Sequence, residues 1–148
     1  MSELRELYQE VVLDHTKNPR NFHELKDATN VSTGHNPLCG DRVTVFLQLR
    51  GDRIVDAAFV GQGCAISKSS ASLMTEAVKG KTQAEVETLF GKFHAMVTGK
   101  DVRDPAALGK LAVFQGVSEF PLRVKCASLA WHTLKAALDR ASGTVSLE

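Results

Sequence analysis

Apolar residues near both ends of the chain recur every three or four positions. Leu4, Leu7 and Val11 predict an amphipathic first helix that ends before Pro19. The strongest helical pattern begins at Pro121, a residue type that the first turn of a helix tolerates. Its apolar positions are Val124, Ala127, Trp131, Leu134 and Leu138. Both regions are therefore predicted to be helical.

After the first helix, apolar residues recur at every second position. Apolar and polar residues alternate from Val43 to Leu49, and a Gly51-Asp52 turn leads to a second strand, Arg53 to Val60. A shorter β-leaning run, Thr29 to Thr33, precedes a loop rich in turn residues that extends from Gly34 to Asp41. These patterns predict an antiparallel hairpin and one further short strand.

Further helices are predicted between the hairpin and the last helix. Ala65 to Lys79 is rich in Ser and Ala, whose small side chains permit close helix packing, and Thr82 to Glu85 is a capping box that opens another helix. The stretch from Gly99 to Gly116 is less regular, with a short helix after Pro105. The predicted fold class is α+β, a small antiparallel sheet of about three strands with helices packed on it.

Length and charge narrow the functional classes. The chain has 148 residues, 43% of them hydrophobic, which suits one domain spanning residues 1–148. Lys and Arg total 18 against 17 Asp and Glu, so no net field attracts nucleic acid or acidic membranes. No stretch approaches the roughly 18 apolar residues of a membrane span, and the N-terminal pattern lacks a signal peptide's apolar core. We expect a cytoplasmic protein with no nucleic-acid or membrane partner.

The three cysteines occupy junctions between predicted elements. Cys39 lies in the loop before a strand, Cys64 lies between a strand and a helix, and Cys126 lies near the start of the last helix. An odd count in a protein expected to be cytoplasmic disfavours a disulfide framework. At the start of a helix, Cys64 should have a lowered thiol pKa, because the helix N-terminus favours the thiolate. The cysteines are therefore free thiols or metal ligands.

A carboxylate adds a fourth donor to this set. Asp41 follows Cys39 by two residues, so three thiolates and one carboxylate could bind tetrahedral zinc or an exposed iron–sulfur cluster. Arg42, Arg123 and Lys125 flank these residues in sequence and could balance the negative charge.

Two alternatives to ligation remain open at this point. Free cysteines are often simply buried, and Asp41 could be only a turn residue. His35 is held as a reserve ligand because it lies near the loop, whereas surface or packing roles are expected for His15 and His132.

Three motifs resemble those of the U-type iron–sulfur scaffold family, which includes SufU and IscU. They are Asn36 to Asp41, Gly61 to Ser67 and Arg123 to Trp131. The chain is more similar to SufU, since Lys125 stands where IscU-type members have a histidine. The stretch from Gly99 to Gly116 also looks like an insertion typical of SufU-type members.

This resemblance implies a zinc-containing sulfur acceptor, a sulfurtransferase that acts together with a pyridoxal-phosphate cysteine desulfurase of the SufS type. By the resemblance, Cys39, Asp41, Cys64 and Cys126 would hold the zinc, and Cys39 would accept the sulfur and pass it toward downstream cluster-assembly proteins. On physical grounds, Arg123 and Lys125 could then steady the displaced sulfur anion or the partner surface.

Two other functions remain open beside the sulfur acceptor. One is a scaffold on which a transient iron–sulfur cluster is assembled, and the other is a module in which zinc is only structural.

Overall fold

The structure is a computed structural model that describes residues 2–139 and 144–146. The helices are Ser2–Lys17 (α1), Ala65–Val78 (α2), Gln83–Val97 (α3) and Pro121–Leu138 (α4), with a 3₁₀ segment at Pro105–Glu119. The strands are Asn30–Asn36 (β1), Asp41–Arg50 (β2), Arg53–Gln62 (β3) and Thr144–Ser146 (β4). None of the described helices has the length and apolar character required to cross a bilayer.

The strands form one sheet in the order β3-β2-β1-β4. β1, β2 and β3 pair antiparallel, which confirms the predicted α+β class with a small antiparallel sheet. The short strand β4 was not predicted, and it pairs parallel with the free edge of β1. β1 also extends past the predicted Thr33 to Asn36, because its pairing with β2 continues to the pair Asn36 and Asp41. The true loop is therefore only residues 37–40.

The core lies between one face of the sheet and the helices. Val43, Val45 and Leu47 alternate along β2 with more exposed residues and are buried. From the helical side, the ring of Trp131 in α4 stacks on Phe93 of α3 with 4.6 Å between centroids. This packing places α4, which carries Cys126, across the sheet.

The small side chains of α2 allow two helices to approach it closely, as the sequence predicted. The Ser70 hydroxyl donates a hydrogen bond of 2.6 Å to the Ala127 carbonyl in α4. On the other side, Ser72 Oγ lies 2.7 Å from Nδ1 of the buried His15 in α1. Burial lowers the pKa of His15, so the imidazole is favoured as the neutral form. α2 is thus tied to both α1 and α4.

The less regular stretch contains the predicted short helix, although it is longer than expected. It is a 3₁₀ segment whose non-helical backbone at Gly109 divides it in two. Phe114 in this segment is fully buried and meets Tyr8 of α1 edge to face at 6.1 Å. The segment therefore covers the helical side of the core and packs against α1.

Gly34 in β1 is required for the contact between the sheet and α4. A Cβ at this position would overlap the Thr133 hydroxyl and lie 3.1 Å from Leu129 Cδ1. We expect Gly34→Ala to lower the free energy of unfolding by about 1–3 kcal/mol through overpacking, as measured by urea denaturation.

Gly91→Ala is the matched control, because a Cβ on this residue of α3 would meet no atom within 4 Å. It should raise stability by up to about 1 kcal/mol through helix propensity. Adding Thr133→Ala to Gly34→Ala should recover part of the loss, and no recovery would contradict the steric explanation.

Candidate metal centre

Three connections in the fold meet at one end of the sheet. Cys39 lies in the loop between β1 and β2, and Asp41 is the first residue of β2. Cys64 directly precedes α2, and Cys126 lies in the second turn of α4. Residues that are far apart in sequence are therefore brought together by the antiparallel pairing and by the close contact of α2 with α4.

The donor atoms of Cys39, Asp41 and Cys126 form a compact group. One ligand atom from each lies within 4.8 Å of the others, and the two sulfurs are 3.5 Å apart. Cys64 lies outside that compact group, but its Sγ is 3.7 Å from Asp41 Oδ2. The four residues predicted from the sequence thus lie close together, with the Asp41 carboxylate in contact with the Cys64 thiol.

Asp41 also fixes the start of α2. Its Oδ1 accepts a hydrogen bond of 2.9 Å from the Cys64 backbone N–H, and the side chain is fully buried. The approach is possible because Gly63 has no side chain, since a Cβ there would lie 2.6 Å from Asp41 Oδ1. Oδ2 remains directed toward the Cys64 thiol. Asp41 therefore has a structural role in addition to its candidate role as a ligand.

Cys64 caps α2 with its own sulfur. The Sγ atom accepts a hydrogen bond of 3.4 Å from the Ser67 backbone N–H. The pKa of Cys64 is lowered to about 7, first by the hydrogen bond with Cys126 and then by the backbone N–H groups of Ser67 and Ile66, against the opposing effect of burial. The pKa of Cys64 is therefore lowered as expected, but the largest cause is Cys126, and the N–H groups at the helix start contribute less.

Cys126 has the opposite electrostatic environment. Its pKa is raised because its thiol donates toward the Cys64 sulfur, with burial and the hydrogen bonds to Asp41 and Cys39 acting in the same direction. Only 5% of its surface is exposed, whereas Cys39 and Cys64 are exposed. The three thiols therefore differ in access to solvent and in readiness to ionise.

The three predicted cations lie next to the candidate ligands in sequence. The Arg123 guanidinium stacks on the exposed ring of Phe120 at 4.4 Å from its centroid, and Lys125 is half-buried. Arg42 is exposed on β2. Arg123 and Lys125 thus lie in the first two turns of α4, the helix that carries Cys126.

Tyr8 is a neighbour of the site that the sequence pattern does not predict. Burial raises its pKa, Arg123 lowers it and Cys64 raises it further, which places the phenol of α1 in the electrostatic environment of both groups. Only the helical period of α1 could have been read from the sequence, and that period does not identify what the helix packs against.

The histidines are separate from the candidate ligands. His35 pairs with Arg42 across β1 and β2, and the compact donor group found among the described residues does not include it. His15 is buried against Ser72, and the His132 ring packs edge to face on Phe90 at 5.3 Å. The packing roles expected for His15 and His132 agree with these contacts.

The donor set suits a thiophilic metal ion. A tetrahedral zinc with Zn–S bonds of about 2.3 Å separates two sulfurs by roughly 3.8 Å. The Cys39 to Cys126 separation of 3.5 Å is close to that edge length. Three thiols with one carboxylate also supply the four ligands that such an ion takes, so Cys39, Asp41, Cys64 and Cys126 fit zinc by number and chemistry.

We expect Gly63→Ala to weaken metal binding, because the new Cβ would displace the Asp41 carboxylate from Cys64. Co²⁺ titration, followed by the thiolate charge-transfer absorption, should give an affinity that is reduced at least about tenfold. Gly116→Ala is the control, since a Cβ there would meet nothing within 4 Å. Equal Co²⁺ affinity in the two variants would show that the Gly63 contact does not position the carboxylate.

Comparison with known proteins agrees with the site and the fold. The family model described as NifU-like N terminal domain matches residues 7–127. The zinc-dependent sulfurtransferase SufU of Bacillus subtilis is 44% identical over 137 residues, which cover 93% of this chain and 92% of that protein. The iron–sulfur cluster assembly scaffold protein IscU of Streptococcus pyogenes is 40% identical over 147 residues, covering 99% and 92% of the two chains.

A solved structure has the same architecture. It is a SufU from Fervidobacterium islandicum, described as an iron–sulfur cluster assembly scaffold protein for the SUF system. It superposes with a TM-score of 0.84 at 38% identity, covering 90% of this chain and 98% of that one. The resemblance predicted from the three cysteine motifs is confirmed, and the chain belongs to the family of NifU-like N-terminal domains, together with its SufU and IscU relatives.

Proposed function

We propose that this protein is a zinc-dependent sulfur acceptor of iron–sulfur cluster biogenesis. The observation that carries the proposal is the convergence of Cys39, Asp41 and Cys126 within 4.8 Å, with the Cys64 sulfur 3.7 Å from Asp41. The similarity to the B. subtilis zinc-dependent sulfurtransferase supports the choice of metal and reaction. The proposed sulfur donor is a pyridoxal-phosphate cysteine desulfurase of the SufS type, and the sulfur passes on to downstream cluster-assembly proteins.

Zinc would be held by Cys39, Asp41, Cys64 and Cys126. When bound, it would keep the thiols deprotonated while lowering their reactivity, which suits a site that must not react until its partner docks. Within the chain itself, backbone N–H donors at the start of α2 already favour the thiolate of Cys64.

Cys39 is the proposed sulfur-accepting thiol. It is exposed in a short loop, whereas Cys126 is buried in α4, so Cys39 can reach a partner with less rearrangement of the fold. Burial and the packing of α4 hold Cys126 in place. The fold thus exposes the thiols of Cys39 and Cys64 and buries that of Cys126. Of the two exposed sulfurs, that of Cys64 is held by the Ser67 N–H at the start of α2, whereas Cys39 lies in the loop.

The transfer is a thiol–disulfide type exchange. The Cys39 thiolate attacks the outer sulfur of a persulfide on the partner's cysteine, forming a new S–S bond while the partner's S–S bond breaks. The electron pair leaves with the partner's cysteine as a thiolate, and the proton on the outer sulfur stays with that sulfur. Cys39 becomes a persulfide, and no external oxidant or reductant is needed.

Arg123 and Lys125 are proposed to support the anions of this exchange. Arg123 is exposed at the start of α4 and Lys125 directly precedes Cys126. Positive charge near a displaced thiolate favours its ionised form. Their position in the first two turns of α4 is consistent with this role and with contact to a partner surface.

A second candidate function is the assembly of a transient iron–sulfur cluster on the same residues. It is favoured by the similarity to the S. pyogenes scaffold protein and by the exposure of Cys39 and Cys64. Anaerobic reconstitution with iron and sulfide separates the two functions. A stable, stoichiometric cluster would favour the scaffold, and its absence would favour sulfur transfer.

Cys39→Ser should abolish sulfur acceptance, since a hydroxyl is a far weaker nucleophile than a thiolate. The measurement uses ³⁵S-cysteine, the desulfurase and this protein, followed by peptide mapping of the labelled sulfur. In the unsubstituted protein the label should be on the Cys39 peptide. Label on the Cys64 or Cys126 peptide, or normal labelling of Cys39→Ser, would reject the assignment of Cys39.

Asp41→Ala should lower the zinc content of the purified protein well below about one ion per chain and change the stimulation of the desulfurase. The substitution removes a candidate ligand together with the acceptor of the Cys64 N–H. Metal analysis and desulfurase turnover are measured on the same preparations.

Asp56→Ala is the control for this prediction, because Asp56 also accepts a backbone N–H, that of Ala57, and pairs with Lys79 away from the site. It should keep its zinc. A desulfurase whose turnover does not respond to the unsubstituted protein would instead indicate that zinc is only structural.

A further inference from the structure

The backbone N–H groups of the loop that carries Cys39 all donate to a single residue. Three N–H groups are present between Asn36 and Asp41, because Pro37 has none. The Leu38 N–H donates to Asn36 Oδ1 at 3.2 Å. The Cys39 and Gly40 N–H groups donate to the Asn36 carbonyl at 3.2 and 2.8 Å. Every backbone donor of the loop therefore ends on Asn36.

Asn36 and the loop differ sharply in exposure. Asn36 is fully buried at the end of β1, whereas 62% of Leu38 is exposed and Cys39 is also exposed. Asn36 is also the partner of Asp41 across β1 and β2. The loop thus extends into solvent from a buried anchor that lies beside the carboxylate of the metal centre.

The orientation of the Asn36 amide is set by its contacts. A flipped amide would place its NH₂ group against the Leu38 N–H, donor against donor, so Oδ1 must accept this bond. Nδ2 is buried and has no acceptor among residues 2–139 and 144–146. A carboxylate at position 36 could accept the same N–H, but it would place a second negative charge opposite Asp41. Asparagine supplies the acceptor without the charge.

We propose that Asn36 is a positioning residue for the sulfur-accepting thiol: it holds the loop closed so that Cys39 stays beside Cys126, and it thereby sets how readily Cys39 leaves the metal. This inference rests on the proposed function, in which Cys39 is the thiol that moves. The Sγ separation of 3.5 Å between Cys39 and Cys126 is the arrangement that the closed loop maintains.

The test compares Asn36→Ala with Asn30→Ala. Asn30 is a second buried asparagine on the same strand and the same face, and its Nδ2 donates to the Ala137 carbonyl at 2.7 Å. Each variant loses the hydrogen bond of a buried asparagine side chain, but only Asn36 contacts the loop. In zinc-loaded protein, iodoacetamide should alkylate Cys39 roughly five- to tenfold faster in Asn36→Ala, since one hydrogen bond typically contributes about that factor.

Cys64 provides an internal control, because its sulfur is held by the start of α2 and not by Asn36. Peptide mapping should show an unchanged Cys64 rate in Asn36→Ala and unchanged rates at both thiols in Asn30→Ala. Equal Cys39 rates in Asn36→Ala and the unsubstituted protein would overturn the proposal. So would an equal rise at Cys39 in the two variants, since that would reflect general loss of stability.

A second variant and a metal-free measurement extend the test if Asn36→Ala folds poorly. In Asn36→Ser the hydroxyl can still accept the Leu38 N–H, although more weakly, so Cys39 should react at an intermediate rate. Amide hydrogen exchange on metal-free protein should show faster exchange at Leu38 in Asn36→Ser than in Asn30→Ala, and no difference would count against the proposal. Neither readout uses the desulfurase. A failure of this inference appears as unchanged alkylation or exchange rates, whereas a failure of the proposed function appears as sulfur label on a cysteine other than Cys39.

Discussion

The hydrogen bond from the Cys64 N–H to the Asp41 carboxylate is the contact on which the geometry of the candidate metal centre depends. It joins the first residue of β2 to the start of α2, two points that are distant in sequence. A fully buried carboxylate requires partners to offset its loss of hydration. The backbone N–H supplies one, and the remaining oxygen faces the Cys64 thiol at 3.7 Å. A buried negative charge next to three thiols therefore makes the site suited to a cation.

The rest of the centre follows from how α2 is held once its first residue is fixed. Ser70, in the second turn of α2, donates to the carbonyl of Ala127, the residue after Cys126. The bond requires the two helices to lie close together, which the small residues of α2 permit. Asp41, the axis of α2 and Cys126 are thus connected through two hydrogen bonds. A displacement of α2 would alter both the Cys64 cap and the position of α4.

The sequence predicted the elements better than the contacts between them. The hairpin, the Thr82 capping box and the helix beginning at Pro121 are local patterns, and each is present in the structure. The end of β1 was misplaced because the pairing of Asn36 with Asp41 depends on the partner strand. The four candidate ligands could be named from their positions at junctions. The anchoring role of Asn36 could not, since it depends on burial produced by tertiary packing.

The three thiols are chemically identical groups that the fold makes unequal. Moving Cys126 out of the centre would require rearrangement of α4, whose neighbouring residues are buried. Moving Cys64 would remove the sulfur that caps α2. Cys39 requires only the opening of a four-residue loop into solvent, because the loop's backbone bonds all end on one residue. We therefore propose that the free energy required to leave the centre is lowest for Cys39, so that the fold, and not the intrinsic reactivity of cysteine, directs an exchange reaction at this site to that thiol.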